Sequence, residues 1–281
     1  MSMALASKGP DWQDWVLHNL ARNCSPRDML ERMVKAGWES DTAARALDEG
    51  LAQLQKPLLT RPTRPHIDTA RNVIDCGDLV AKVLVTVQRP RIVYLDHILR
   101  PEECDALIAF AEQKGLRKSA VVDAQSGDHV DHHARSSHGT FFARGEHDDA
   151  TRIERRLARL TQWPEDHAEG LQILRYEVGQ EYRPHFDWFD ANNPGSAKHL
   201  ERGGQRLATF VLYLTDVEAG GGTIFPTLGL EVFPRRGAGV FFADVDEWGR
   251  PDSATLHGGS PVITGTKIIA TYWQRERRYG S

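Results

Sequence analysis

Hydrophobic residues recur at helical spacing in the first part of the chain, and this pattern predicts three short helices. The apolar stripe of the first helix consists of Trp12, Trp15, Val16 and Leu20. Ser25 followed by Pro26 indicates the start of a second helix, because serine caps free N–H groups and proline fits the first turn. Gly37 is expected to end that helix and Ser40 to cap the third. Residues 1–55 are therefore predicted to form a small three-helix bundle.

Residues 56–78 show neither the helical spacing of apolar residues nor the alternation that is typical of a strand. Three prolines lie between residues 56 and 70, which favours a semi-rigid linker or an extended segment that lies on the next domain.

From residue 79 onward the pattern is mixed. The predicted elements are strands at 79–87 and 91–96 and amphipathic helices at 101–115 and 150–161. After residue 172 the chain is nearly all strand and turn. The expected fold is α+β, with helices packed outside an antiparallel barrel in a domain at 79–281.

Composition limits the class of protein. The 281 residues, 40% of them hydrophobic, can bury one large core with a small additional domain. A formal net charge of −4 gives no general affinity for nucleic acid or anionic lipid. The three cysteines are odd in number and widely spaced, which fits a reducing cytosol better than a disulfide framework. With no signal-peptide core and no run near the ~18 apolar residues of a membrane span, we expect a soluble, unprocessed, cytoplasmic protein.

The segment Tyr182-Arg-Pro-His-Phe-Asp places His185 and Asp187 two positions apart in a strand-like stretch. Side chains two positions apart in a strand point to the same face. Imidazole and carboxylate are two of the three ligands of the 2-His-1-carboxylate triad, which holds non-haem Fe(II) and leaves positions open for substrates. His257 in Ser-Ala-Thr-Leu-His-Gly-Gly is the best candidate for the third ligand. The alternative is a polar strand face and an ordinary loop histidine.

Lys267 begins the strand-like run Lys-Ile-Ile-Ala-Thr-Tyr-Trp. Fe(II) with one aspartate carries about +1, and a chelating 2-oxoglutarate dianion brings the site to about −1 with its distal carboxylate unpaired. Lys267 can neutralise that carboxylate as a strong charge-assisted donor. Ile269, Thr271 and Trp273 share its strand face, so Trp273 is expected to point inward as well. The alternative is a solvated strand lysine.

Six ordered segments resemble the prolyl 4-hydroxylase type of Fe(II)/2-oxoglutarate dioxygenase, over about residues 92 to 275. In chain order they are Tyr94-Leu-Asp-His-Ile-Leu-Arg-Pro-Glu-Glu-Cys, Ala134-Arg-Ser-Ser-His-Gly-Thr-Phe-Phe, Tyr176-Glu-Val-Gly-Gln-Glu-Tyr-Arg-Pro-His-Phe-Asp, Gly203-Gly-Gln-Arg-Leu-Ala-Thr-Phe-Val-Leu-Tyr-Leu, Gly220-Gly-Gly-Thr-Ile-Phe-Pro, and Leu256-His-Gly-Gly-Ser-Pro-Val with Gly265-Thr-Lys.

The resemblance implies a fold, a ligand set and a reaction. The barrel is expected to be a double-stranded β-helix of jelly-roll type, with His185, Asp187 and His257 as iron ligands. The residues expected to bind the cosubstrate are Lys267, Tyr176, Tyr213, Thr209 and Trp273. Arg206, Arg135 and Trp248 are the candidates for substrate contacts. The cofactors would be Fe(II), 2-oxoglutarate and O2, with ascorbate as a candidate reductant.

The expected reaction is hydroxylation of an unactivated C–H bond with release of succinate and CO2. A prolyl residue in a peptide or protein is the first substrate, and a free cyclic or linear amino acid is the alternative. A zinc hydrolase would use the two histidines and the aspartate but not Lys267 and the tyrosines, and a metal-free binding module would need neither the three ligands nor the lysine. The segment around Ser25 and Gly37 resembles ubiquitin-associated three-helix modules, so the N-terminal helices are a candidate partner-binding module; structural support is the alternative.

Overall fold

The chain divides into two compact units, Met1–Pro62 and Thr63–Ser281. The computed structural model describes residues 4–59, 64–119, 121–122, 129–130 and 136–280. No helix among these residues has the length and apolar character that crossing a lipid bilayer requires.

The first unit contains the three predicted helices, α1 (Pro10–Ala21), α2 (Pro26–Lys35) and α3 (Ser40–Gln53). Ser25 caps α2 as predicted, since its hydroxyl accepts a hydrogen bond from the backbone N–H of Asp28. The cap of α3 differs by one residue, because the Glu39 carboxylate accepts the N–H of Thr42 at 2.9 Å. Partner binding by this unit stays a prediction.

The second unit combines helices with antiparallel sheets. Its helices are α4 (Pro101–Lys114), α5 (Asp148–Thr161) and the short α6 (Ala197–Glu201). The larger sheet has nine strands, in the spatial order β1 (Val73–Asp75), β2 (Val80–Val87), β3 (Ile92–Asp96), β14 (Gly239–Ala243), β10 (Arg206–Tyr213), β17 (Lys267–Arg275), β8 (Gln172–Tyr176), β7 (His138–Phe141) and β4 (Arg117–Lys118). The smaller sheet has the order β13 (Leu230–Val232), β12 (Thr223–Phe225), β15 (His257–Gly259) and β9 (Tyr182–His185). Two further strand pairs are β11 (Ala219–Gly220) with β16 (Val262–Thr264) and β5 (Val121–Val122) with β6 (His129–Val130).

Residues 56–78 were expected to form either a linker or an extended segment that lies on the next domain. Strand β1 lies in this range and pairs with β2, and Ile67 is fully buried in the core of the second unit. The part of this segment that includes Ile67 and β1 therefore belongs to the second unit.

The larger sheet packs its two faces differently, because alternate residues of each strand point to opposite sides. Phe210 and Leu212 of β10 belong to the core cluster that includes buried residues of α4 and α5. Val211 and Tyr213 belong to a second cluster, which includes Phe225 and Val232 of the smaller sheet. Lys267, Ile269, Thr271 and Trp273 line a cavity on this second side, as their predicted shared face requires.

Candidate active site

Strand pairing brings the three ligand candidates together. In the smaller sheet β15 pairs with β9 so that His257 is the partner of His185. Asp187 was expected to extend the same strand, but β9 ends at His185 and Asp187 lies in the bend that follows. Pairing ends here because β15 itself begins at His257, and the bend still turns the carboxylate toward both imidazoles.

The ligand atoms of the three residues all lie within 4.8 Å of one another. Nε2 of His185 is 3.7 Å from Oδ1 of Asp187, and Nε2 of His257 is 3.5 Å from Oδ2. Asp187 and His257 are buried, whereas the side chain of His185 is 22% exposed. Two imidazoles and one carboxylate in this arrangement are the donor set that non-haem Fe(II) prefers.

The second ring nitrogen of each histidine is held by the backbone. Nδ1 of His185 lies 2.9 Å from the carbonyl oxygen of Arg183, and Nδ1 of His257 lies 2.9 Å from that of Thr255. A carbonyl oxygen only accepts, so both Nδ1 atoms carry the proton and donate. In the neutral tautomer the Nε2 lone pairs are then left for a metal, which is the usual arrangement around a metal-binding histidine.

Asp187 is held from behind by Thr209. The Thr209 hydroxyl lies 2.8 Å from Oδ2 of Asp187 and 2.8 Å from Oδ2 of Asp244, which is completely buried. Burial opposes ionisation of Asp187, but the neighbouring His257, His185 and Arg206 outweigh it and hold the pKa of Asp187 below its usual range. Burial and the nearby Asp187 carboxylate raise the pKa of Asp244 well above its usual value.

Arg206 was a candidate for contacting the substrate, but its guanidinium is bound within the protein. Nε and Nη2 donate to the two carboxylate oxygens of Glu169 at 2.7 and 3.0 Å, and Arg275 donates to the same carboxylate. The guanidinium also stacks over the Trp273 ring at 3.9 Å, and Nη1 lies 3.9 Å from Oδ1 of Asp187. Arg206 therefore contacts both Trp273 and Asp187 and helps to hold these two side chains in place.

Lys267 lies in the cavity that the three ligand candidates also line. Its side chain is buried, and its ammonium makes no hydrogen bond to a residue that the structure describes. Burial lowers the pKa of Lys267 to about 8, although Glu231 opposes this shift. The ammonium lies 5.5 Å from the centre of the Tyr176 ring, which lines the same cavity. A buried ammonium with free donors indicates a site for an anion.

The remaining predicted residues fall into three groups. Tyr176 and Trp273 line the cavity as predicted. Thr209 and Tyr213 do not line the described cavity themselves but contact residues that do, since Thr209 lies beside Asp187 and Tyr213 donates to the Thr223 hydroxyl at 2.8 Å. Trp248 is buried in the turn after β14, away from the described cavity wall, and Arg135 lies outside the described residues.

Asp244, Glu169 and Thr223 were missed from the sequence. Asp244 follows the apolar strand Gly-Val-Phe-Phe-Ala without a break, and a carboxylate adjoining such a buried run was a usable signal. Glu169 and Thr223 carry no comparable local signal, because their partners lie on distant strands.

Residues 171–275 match the family model of the 2OG-Fe(II) oxygenase superfamily, where 2OG is 2-oxoglutarate. This range contains the three ligand candidates and Lys267. The fold and the site therefore define a metal-dependent oxygenase of that superfamily.

The relatives are more specific. Probable prolyl 4-hydroxylase 3 of Arabidopsis thaliana is 40% identical over 210 residues, covering 68% of this chain and 71% of the relative. Prolyl 4-hydroxylase 5 of the same plant is 37% identical over 204 residues, covering 66% and 68%. The viral collagen prolyl hydroxylase from Paramecium Bursaria Chlorella virus-1, solved as a 2OG complex, is 32% identical with a TM-score of 0.52 over 66% of this chain and 95% of the viral chain. The chain belongs to the prolyl 4-hydroxylase type of 2OG-Fe(II) oxygenases, enzymes that use Fe(II), 2-oxoglutarate and O2.

Proposed function

We propose that this protein hydroxylates a prolyl residue in a peptide or protein, with His185, Asp187 and His257 as the iron ligands and Lys267 as the anchor of 2-oxoglutarate. The observation that carries the proposal is the pairing of two features in one cavity. One is the ligand set, with both Nδ1 atoms held by carbonyl oxygens; the other is the buried ammonium of Lys267.

The donor set fits Fe(II). Each neutral imidazole presents Nε2, and Asp187 presents a carboxylate whose pKa lies below its usual range. When bound, Fe(II) with 2-oxoglutarate supplies the activation of O2 that oxidises an unactivated C–H bond and releases succinate and CO2. Asp187 acts in this proposal as a ligand only, and no side chain is needed as a general base.

The rest of the cavity positions the cosubstrate and excludes water. Lys267 pairs with the distal carboxylate of 2-oxoglutarate, which satisfies both groups in a buried place. Leu174, Val211 and Ile269 give the cavity that Lys267 and the ligand residues share an apolar lining. Such a lining would keep solvent away from the reacting atoms.

The finer fold assignment is part of the same proposal. Antiparallel pairing throughout and a site between a larger and a smaller sheet support a double-stranded β-helix of jelly-roll type. A cytoplasmic location is also proposed, since the three cysteines are free and two of them are buried, which suits a reducing compartment.

The substrate assignment rests on the relatives, whose names specify prolyl hydroxylation. The test offers the Fe(II)-loaded protein three substrates: a proline-rich peptide, the same peptide with alanine at each proline, and free proline. We expect succinate release above background, with a mass gain of one oxygen atom, only for the proline peptide. Reaction of free proline alone would favour the amino-acid alternative. Hydrolysis of the peptide by the Zn(II)-loaded protein, together with no reaction of the Fe(II)-loaded protein, would contradict an oxygenase.

A further inference from the structure

Gly259, at the end of β15, faces the ammonium of Lys267. A Cβ atom built on Gly259 would lie 3.3 Å from Nζ of Lys267, and its next neighbour would be the backbone nitrogen of Tyr182 at 3.9 Å. The φ angle of Gly259 is not positive, so an alanine can adopt this backbone without strain. Glycine is therefore not required here by the backbone conformation. What it provides is free space beside the ammonium of Lys267.

That space lies where a ligand of Lys267 must bind. An ammonium has three N–H donors, and those of Lys267 make no hydrogen bond to the described residues. A carboxylate oxygen accepting from an ammonium lies about 2.7–2.9 Å away. A methyl group 3.3 Å from Nζ would occupy part of the same shell. Gly259 and Lys267 both line the cavity, so the open side of the ammonium faces the space in which a cosubstrate would bind.

We propose that Gly259 is a specificity-determining residue, which leaves room for the distal carboxylate of 2-oxoglutarate to pair with Lys267. The inference rests on the proposed role of Lys267 and adds a selection rule. The affinity for a 2-oxo acid that has a distal carboxylate should depend on the glycine, whereas the affinity for a 2-oxo acid without one should not.

The neighbouring Gly258 provides a matched control. A Cβ there would lie 2.8 Å from the carbonyl oxygen of Tyr182 and 3.1 Å from the backbone nitrogen of Pro184, both in β9. Gly258→Ala therefore separates β15 from β9, the two strands that pair His257 with His185. It should impair metal binding, which Gly259→Ala should leave unchanged.

Binding is measured by calorimetry on the full chain loaded with Mn(II), a redox-inactive substitute for Fe(II), so that no turnover is needed. Each protein is titrated with 2-oxoglutarate and with pyruvate, which chelates in the same way but lacks the distal carboxylate. We expect Gly259→Ala to weaken 2-oxoglutarate about ten- to hundred-fold, since a hydrogen bond between charged groups is impaired, and to leave pyruvate unchanged. The proposal would be overturned if Gly259→Ala bound 2-oxoglutarate as tightly as the original protein does. It would also be overturned if the substitution weakened 2-oxoglutarate and pyruvate equally.

Lys267→Ala and the double variant Lys267→Ala/Gly259→Ala complete the test. If Gly259 acts through the ammonium, the double variant binds 2-oxoglutarate as weakly as Lys267→Ala alone. Further loss of affinity in the double variant would show an effect independent of the lysine and overturn the inference. This comparison holds even if Gly259→Ala alone folds poorly, because the closest contact of the added methyl group, Nζ of Lys267, is absent from the double variant. Unchanged binding by Lys267→Ala would instead refute the proposed anchor, an outcome distinct from failure at Gly259.

Discussion

The hydroxyl of Thr209 lies 2.8 Å from Oδ2 of Asp187 and at the same distance from Oδ2 of Asp244. One hydroxyl has one proton, so it can donate to only one of the two carboxyl groups. The other must donate to Thr209, and Asp244 fits this role because its pKa is raised whereas that of Asp187 is lowered. A neutral Asp244 therefore donates to Thr209, and Thr209 donates to the proposed iron ligand.

The first prediction concerns the Thr209 hydroxyl. Thr209→Val keeps the shape of the side chain but removes the donor, which leaves Oδ2 of Asp187 without this support. We expect iron affinity to fall about ten- to hundred-fold, the usual effect of losing a group that orients a metal ligand. Anaerobic Fe(II) titration measures it.

Thr209→Ser retains the hydroxyl and should bind iron nearly normally. Thr161→Val is a second control, since Thr161 is equally buried but its hydroxyl bonds to backbone carbonyls of α5 and to Gln274. Unchanged iron affinity in Thr209→Val would show that Asp187 is held by other contacts.

The second prediction compares the two carboxyl groups. Asp244→Asn substitutes a neutral amide that can donate to Thr209 as the neutral acid does, so we expect iron binding and turnover within a few-fold of the original. Asp187→Asn removes the charge from the ligand itself and should abolish both. Parallel metal titrations and succinate assays distinguish the pair. Equal loss in both variants would mean that Asp244 is ionised in the native protein.

Local sequence order was enough to predict the central residues of the site. His185 and Asp187 are two positions apart, His257 lies beside two glycines, and Lys267 begins an apolar strand with Trp273 on the same face. These signals depend on strand periodicity and on the chemical types of neighbouring residues, which can be read without knowing the fold. The three N-terminal helices were predictable for the same reason, since caps and stops act over a single turn.

The supporting residues could not be predicted in this way. Asp244 meets Thr209 because β10 pairs with β14 in a register that places Thr209 beside Phe242. Glu169 meets Arg275 across 106 positions of sequence. Such contacts follow from strand register, and a shift of one residue would turn every side chain to the opposite face. Thr209 and Tyr213, which were predicted to bind the cosubstrate, contact Asp187 and Thr223, two residues that line the cavity, and their role in cosubstrate binding stays a prediction.

The third prediction is a pH dependence of 2-oxoglutarate binding. The pKa of Lys267 is lowered to about 8 by burial, so its charge is lost as the pH rises through this value. Because the proposed partner is a carboxylate, affinity should fall about tenfold per pH unit above pH 8. Calorimetry on the Mn(II) protein from pH 7 to 10 measures this slope.

Lys267→Arg keeps its charge over this whole range. It should bind 2-oxoglutarate less tightly, because the planar guanidinium differs in shape from an ammonium, but with little dependence on pH. Pyruvate provides the ligand control, since it has no distal carboxylate. A slope of the same size for pyruvate would assign the pH effect to the metal end of the cavity.

The last prediction concerns Glu154 on α5, which is 1% exposed and has one carboxylate oxygen without a hydrogen-bond partner in the described part of the chain. Burial raises its pKa from 4.5 to about 7. Because the folded state binds the proton more tightly than the unfolded state, the free energy of unfolding should decrease as the pH rises from 4.5 to 7 and then level off.

Glu154→Gln removes this dependence and should be more stable than the original protein at pH 8, by on the order of 2–3 kcal/mol, with little advantage at pH 5. Denaturant unfolding at both pH values measures the difference, and Glu112→Gln, at a glutamate whose side chain is 55% exposed, is the matched control. If Glu154→Gln changes stability equally at pH 5 and pH 8, Glu154 does not titrate in this window, and its buried oxygen has a partner that keeps it ionised.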